Sequence, residues 1–116
     1  MLLVDDEPGI LRSTELLLHE LGFETVSTTR PAEILSTLRR ERPDVLLQDV
    51  RMPELDIDSL LVRIREDPVV GLTPVLLFSA SMDLDEVQDR VGAQGYLEKP
   101  FKPDEVVRAI QRVVRR

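Results

Sequence analysis

Val45-Leu46-Leu47-Gln48-Asp49 is the stretch that decides the fold. It is a short, nearly continuous apolar run that stops on a carboxylate. Such a run, too short for a helix and without alternation, fits a strand covered on both faces, as strands of a parallel sheet are. Three other runs share the form. Leu2-Leu3-Val4 runs into Asp5-Asp6-Glu7, Val75-Leu76-Leu77-Phe78 into Ser79, and Tyr96-Leu97-Glu98 into Lys99-Pro100. As parallel strands, the four deliver Asp5, Asp6, Asp49, Ser79 and Lys99 to one edge of one sheet.

Helical patterns fill the gaps between the runs. Helix one follows Pro8, whose missing N–H has no intrahelical role in a first turn. Its inward face is predicted to be Ile10, Leu17, Leu18 and Leu21, and Gly22 stops it as a left-handed cap. Strand two is predicted at 25–27, and helix two from Pro31 with Ile34, Leu35 and Leu38 inward. Strand three is predicted at 44–48. Asp56 is placed to cap helix three, with Leu60, Leu61 and Ile64 facing the sheet. Pro68 and Gly71 mark the next loop, before strand four at 74–78. Helix four is predicted at 83–91, ended by Gly92, then strand five at 95–98. Helix five runs from Pro103 to about residue 115 with Val106, Ile110 and Val113 on its apolar stripe. This strict alternation predicts an α/β fold with a mostly parallel sheet and right-handed crossovers. Ligands in such folds bind outside the carboxyl ends of the strands, near the point where strand order reverses.

Composition bounds the rest. A chain of 116 residues is long enough for one domain, spanning 1–116, with a core of its own. Without cysteine, disulfides and thiolate metal sites are excluded. The net charge is −7 and the only basic stretch is the tail from Arg112 to Arg116. Direct binding of nucleic acid is therefore not expected, since phosphate contacts need clustered Lys and Arg. No apolar stretch approaches the ~20 residues that span a bilayer, and the N-terminus has no signal-peptide pattern. No membrane association is expected, and a cytoplasmic location is the default.

The shared edge has a definite chemistry. Two carboxylates ~4 Å apart repel by roughly 4 kcal/mol at an effective dielectric of 20. A third makes this worse, so the cluster raises a carboxyl pKa or recruits a cation. Oxygen ligands favour a hard cation such as Mg²⁺. Three carboxylates, one Mg²⁺ and Lys99 then sum to neutrality. Asp49 is the best nucleophile, because carboxylates can form an aspartyl phosphate. Phosphoryl transfer needs in-line positioning and cations on the equatorial oxygens, which Mg²⁺ and Lys99 supply, while the Ser79 hydroxyl can donate to a third oxygen. The added charge draws Lys99 and Ser79 inward with their loops, a switch of the ordering kind.

Four motifs, Val4-Asp5-Asp6-Glu7-Pro8, Gln48-Asp49-Val50-Arg51-Met52-Pro53, Phe78-Ser79-Ala80 and Tyr96-Leu97-Glu98-Lys99-Pro100-Phe101, together resemble the receiver domain of two-component response regulators. The resemblance covers essentially the whole chain in the right order. It implies a flavodoxin-like (βα)5 three-layer sandwich with a five-stranded parallel sheet in the order 2-1-3-4-5. It implies that Asp49 accepts phosphate from a histidine kinase, with Asp6 and Asp49 binding Mg²⁺ directly, Asp5 mostly through water, and the Arg51 carbonyl completing the shell. Lys99 would pair with the phosphoryl group. Ser79 and Tyr96 would form the switch, relayed to the surface of helix four, strand five and helix five, where an output domain or downstream protein would read it. Such a module promotes its own phosphorylation without being a turnover enzyme. The Lys99-Pro100 bond is often cis in this family, an isomer that only X-Pro bonds adopt cheaply.

The sequence also departs from the family pattern. Ile57 and Glu54 stand where Gly is frequent, and a β-branched residue tolerates positive φ poorly, so Ile57 is the larger expected disturbance to the loop over Asp49. The stretch from Ser79 to Lys99 is about two residues short, which is expected to trim helix four or its leading loop. Gln94-Gly95 replaces an acidic pair, so a dimer relying on those acids is not expected. Arg51 and Ser81 flank the phosphoryl position, and Arg51 is expected to shield or contact it. Ile57 and the shortening motivate an alternative, a receiver-like interaction module independent of phosphate. A hydrolase with an aspartyl-phosphate intermediate needs a second acid two residues beyond its nucleophile, where Arg51 stands.

Each motif alone also has an ordinary explanation. Asp5-Asp6-Glu7 would suit a helix N-terminus, Asp49 a turn cap, Ser79 a strand end, and Lys99-Pro100 a loop entry. Tyr96 would suit a half-buried strand position with its hydroxyl in water. His19 reads as a solvated helix residue rather than a phosphohistidine, and the Arg112 to Arg116 tail as a solvated helix end or the start of a linker.

Overall fold

The computed structural model describes residues 1–80 and 83–114. Ser81, Arg115 and Arg116, which figured in the sequence reading, lie outside the described residues. The elements are β1 (Leu2–Val4), α1 (Pro8–Glu20), β2 (Val26–Thr28), α2 (Ile34–Glu41) with a preceding 3₁₀ turn at Pro31–Glu33, β3 (Leu46–Asp49), α3 (Ile57–Glu66), β4 (Val75–Ser79), α4 (Leu84–Val91), β5 (Gly95–Glu98) and α5 (Pro103–Val114). All the strands are parallel, in the order β2-β1-β3-β4-β5. The parallel sheet is the one the alternation predicts, and its flavodoxin-like order is the one the resemblance implies.

Alternate strand residues serve opposite faces of the sheet. Leu2, Val4, Leu46, Val75 and Leu77 pack with Ile34 and Leu38 of α2, with Ile57, Leu60, Leu61 and Ile64 of α3, and with Leu84 and Val87 of α4. Leu3, Leu47, Leu76, Phe78 and Leu97 pack with Leu11 and Leu18 of α1 and with Val106, Ala109, Ile110 and Val113 of α5. The result is three layers, with α2, α3 and α4 on one side and α1 and α5 on the other.

Most helix signals act where they were read. Asp56 accepts from the Ser59 amide at 3.2 Å and caps α3, and Asp83 does the same for α4 through the Glu86 amide at 3.3 Å. Gly22 and Gly92 both take positive φ at helix ends. The inward face of α1 needs correction. Leu11, Thr14 and Leu18 are the buried residues, Ile10 and Leu17 are half-buried, and Leu21 is exposed. The stripe is rotated because Thr14 is admitted to the core, its hydroxyl bonded back to the Ile10 carbonyl at 2.9 Å. Strands two, three and four each sit one or two residues later than read, which places Asp49 and Ser79 inside their strands.

The expected disturbance at Ile57 is also corrected. Ile57 opens α3 with its side chain buried against the core. The strained position is Glu54, at φ +64. The Leu55 amide donates to the Met52 carbonyl at 3.2 Å, so Pro53 and Glu54 are the two central residues of a β-turn. Proline first and positive φ second are the marks of a type II turn, whose second central site favours glycine. Glu54→Gly is expected to stabilise the chain by about 0.5–1 kcal/mol, relief of the left-handed strain exceeding glycine's added entropy cost. A urea midpoint at or below wild type would show that the turn carries no such strain.

Gly71 has the opposite character. A Cβ there would lie 2.6 Å from the Asp67 carbonyl oxygen and 2.9 Å from that of Arg65. Both obstacles are backbone, so neither can swing away. Gly71→Ala is expected to cost about 1–3 kcal/mol, read as a lower thermal midpoint with an unchanged far-ultraviolet spectrum.

Candidate functional site

Strand order builds the site. Neighbouring helices α1 and α3 leave β1 and β3 toward opposite faces, so a crevice opens between their carboxyl ends. Asp5 and Asp6 follow β1 on one side of that crevice, and Asp49 ends β3 on the other. One carboxylate oxygen from each of the three lies within 4.8 Å of the others. Ser79 ends β4 next door, and the Lys99 amide continues the ladder beyond β5 by donating to the Ser79 carbonyl at 3.0 Å. The peptide bond that follows, Lys99-Pro100, is cis. All five predicted side chains thus meet on one edge.

The ammonium of Lys99 settles between carboxylates. Its Nζ donates to Asp5 Oδ2 at 2.9 Å and lies 3.7 Å from Asp49 Oδ2. Asp5 is fully buried, and its Oδ1 accepts from the Glu7 amide at 3.0 Å. The acidic triplet is therefore no simple helix-terminus decoration, and the first turn of α1 contains no acid. Asp49 is 4% exposed, with Oδ1 accepting from the Arg51 amide at 3.1 Å. Burial pushes the Asp49 carboxyl up to about 6. The Arg51 amide and the Lys99 ammonium pull it down, while the Asp5 carboxylate beside it pushes it further up.

Ser79 is 2% exposed and its Oγ has no hydrogen-bond partner among the described residues. A buried hydroxyl without a partner costs free energy unless something arrives to accept from it. Tyr96 is half-buried on β5. Hydrogen bonding toward the Asp85 carboxylate of α4, burial, and the negative charges of Asp85, Glu98 and Asp83 hold the phenol above its ordinary range. Arg51 is exposed on the loop beyond Asp49. His19 is exposed, its Nε2 2.8 Å from the Thr25 hydroxyl. Gln94, read only as a missing acid, has a structural task. Its Oε1 accepts from the Val75 amide at 2.7 Å and from Arg65 at 2.9 Å, tying α3 to the start of β4.

Sequence reasoning missed several contacts around this site. The Gln48 side chain is buried and donates to the Asp49 carbonyl at 2.8 Å. Arg90 of α4 binds Asp58 of α3 through Nε at 2.8 Å. The Lys99 ammonium lies 4.4 Å from the centroid of the Phe78 ring. No spacing rule announces any of the three, since the first turns on the rotamer a buried glutamine adopts and the other two on how helices and loops settle on the sheet.

A five-stranded parallel α/β sandwich with three carboxylates, a lysine and a serine at its strand ends, the serine hydroxyl without a partner among the described residues, defines a class, the acidic-pocket domains of flavodoxin-like fold. The profile of the response regulator receiver domain matches residues 1–111, and the chain belongs to that family, whose members are signalling modules of two-component systems. A putative response regulator from Chloroflexus aurantiacus superposes with a TM-score of 0.89 at 32% identity, over 99% of this chain and 96% of its own. The receiver domain of a sensor histidine kinase from Pseudomonas aeruginosa, crystallised with a magnesium ion in its active-site cleft, gives 0.86 at 30% identity, over 97% and 94%. The probable transcriptional regulator ycf27 of Porphyridium aerugineum is 34% identical over the whole of this chain and 48% of its own length. The chain thus spans about half the length of curated relatives of this kind. No helix among the described residues is long and apolar enough to cross a membrane.

Proposed function

We propose that residues 1–116 form a single phosphoacceptor unit in which Asp49 takes a phosphoryl group from the phosphohistidine of a histidine kinase. One observation carries the reading. A lysine ammonium, two buried carboxylates and a partly buried third converge where the only buried hydroxyl without a partner among the described residues also lies. A merely structural ion pair needs one carboxylate for one lysine. Here the carboxylates exceed the lysine, and the nucleophile candidate holds its proton weakly enough to be ionised at neutral pH.

In the proposed step an Asp49 carboxylate oxygen attacks phosphorus in line. A P–O bond to Asp49 forms, the P–N bond to the donor imidazole breaks, and the departing nitrogen takes up a proton. Lys99 stands beside the acceptor oxygen to neutralise a phosphoryl oxygen, and Ser79, whose hydroxyl has no partner among the described residues, can donate to another. The donor set is hard oxygen throughout, which suits Mg²⁺. Asp5, Asp6, Asp49 and the Arg51 carbonyl would hold it, and when bound it supplies positive charge to the phosphoryl oxygens. Tyr96 and Ser79 would couple the modified site to α4, β5 and α5, the surface offered to an output domain or a separate partner in the cytoplasm. Direct contact with nucleic acid remains unexpected on charge.

The phosphate-independent alternative drew on Ile57, which the core accommodates, and on the shortened stretch from Ser79 to Lys99, which leaves α4 at eight residues; partner binding retained by Asp49→Ala would favour it. The hydrolase reading still finds Arg51 where its second acid is needed.

The test is incubation with Mg²⁺ and a small acyl phosphate, followed by intact mass and peptide mapping. One phosphoryl mass on the peptide containing Asp49 is expected. A folded, Mg²⁺-binding sample that gains no mass would sink the proposal.

A further inference from the structure

We infer that Phe78 is a positioning residue for Lys99, its ring holding the ammonium at the angle from which it serves both the acceptor carboxylate and an incoming phosphoryl group. The consequence for phosphoryl transfer rests on the phosphoacceptor reading above; the contact rests on geometry alone.

The register sets the contact up. Phe78 pairs with Asp49 across β3 and β4, and its side chain turns toward the α1 and α5 layer. Lys99 leaves β5 one strand further along, anchored by its amide to the Ser79 carbonyl. The ring therefore lies under the lysine rather than beside it, with Nζ 4.4 Å from its centroid. Phe78 is 1% exposed. Phe101 meets it edge-on, centroids 6.4 Å apart at 65°, which fixes the plane of the ring.

Charge chemistry gives the arrangement its purpose. An ammonium has three N–H donors. At this site one goes to Asp5 at 2.9 Å, and a second is left for Asp49, an ion-pair partner at 3.7 Å and not a hydrogen-bonded one. The third is needed for a phosphoryl oxygen. The lysine is largely withdrawn from water, its side chain 16% exposed, so its remaining side needs electrostatic support. A carbonyl or carboxylate there would take the third donor. The face of an aromatic ring attracts the cation without accepting a directed hydrogen bond. An aliphatic side chain of similar bulk would fill the space but leave that side of the charge desolvated and unsupported.

Two measurements on the intact chain test this. In wild type, the Lys99 ε-methylene protons are expected to resonate upfield through the ring current, and Phe78→Leu removes that displacement. Initial rates of acyl-phosphate labelling at saturating Mg²⁺ are expected to fall about 2- to 30-fold in Phe78→Leu. Mono-, di- and trifluorinated phenylalanine at position 78 keep the shape and drain the ring face of charge in steps. The rate is expected to fall in the same steps while Mg²⁺ affinity stays constant, an ordering that a packing role would not produce. Wild-type ε protons at ordinary shifts would overturn the contact. Upfield protons with a flat rate across the fluorinated series would overturn the positioning role and leave the phosphoacceptor reading standing. A wild-type chain that takes no phosphoryl group would end both that reading and the role inferred from it, whatever the ring current shows.

Discussion

Asp49→Asn is expected to abolish phosphoryl uptake and, at the same time, to make the metal-free chain more stable than wild type. The first effect removes the proposed nucleophile. The second follows from burial. In the unfolded chain the Asp49 carboxyl titrates near 3.9, and in the folded chain burial holds it up to about 6. Between about pH 4 and 6 the folded chain keeps a proton that the unfolded chain has released. Stability from this group is therefore full below about pH 4 and is lost as pH rises through about 6. At pH 7.5 the ionised carboxylate costs the folded state about 3 kcal/mol. Asn is nearly isosteric, can still accept from the Arg51 amide, and carries no charge. Its advantage is expected to be small at pH 4 and about 3 kcal/mol at pH 7.5, a rise in Tm of roughly 10 °C for a chain of this size. Titrating Mg²⁺ should raise the wild-type midpoint and leave the variant's nearly still. Equal wild-type and variant midpoints at pH 7.5 without metal would show that the buried carboxylate costs nothing.

That opposition between stability and chemistry also explains what was legible in the sequence. Apolar runs ending in polar residues identified the strands because a parallel sheet must be apolar on both faces except where it offers its edge. Val45 to Gln48 and Val75 to Phe78 obey this, and the convergence of Asp5, Asp6, Asp49, Ser79 and Lys99 on one edge follows, whereas the strand order was implied by the family resemblance and not by the runs. Helix faces were less legible. Thr14 belongs to the core only because its hydroxyl bonds back to the Ile10 carbonyl, and periodicity counts such a residue as polar. Glu54 and Ile57 were weighed by residue type, but only the turn geometry shows that Glu54 adopts the left-handed conformation. The partner of Lys99 was the least legible. Sequence spacing names no distance, and the lysine lies nearer to Asp5 than to the proposed acceptor Asp49. A lysine so placed neutralises the resting site first and reaches the acceptor second, which fits a site that waits for a phosphoryl group.

Lys99→Met tests that placement and is expected to cost the metal-free chain about 3–5 kcal/mol at neutral pH. Methionine keeps an unbranched stem only one atom shorter than lysine's and can still pack on the Phe78 ring through its sulfur, so lost volume is a small part of the cost. What is lost is the ammonium 2.9 Å from Asp5, a carboxylate with no exposure to solvent. Removing one partner of a buried pair leaves an uncompensated buried charge, which carries a penalty of this order. The cluster passes from three carboxylates with one cation to three with none. Two controls separate this from general damage. Mg²⁺ is expected to narrow the deficit, since a bound cation replaces part of the missing charge. In the Asp49→Asn background the same substitution is expected to cost less than in wild type, because one of the two carboxylates facing the lysine is already neutral. The difference between the two costs is the coupling of Lys99 to Asp49. Urea midpoints of the four chains, with and without Mg²⁺, give every quantity needed. A Lys99→Met midpoint equal to wild type would mean that the ammonium offsets no buried charge at Asp5, and the charge balance proposed for the whole edge would have to be abandoned.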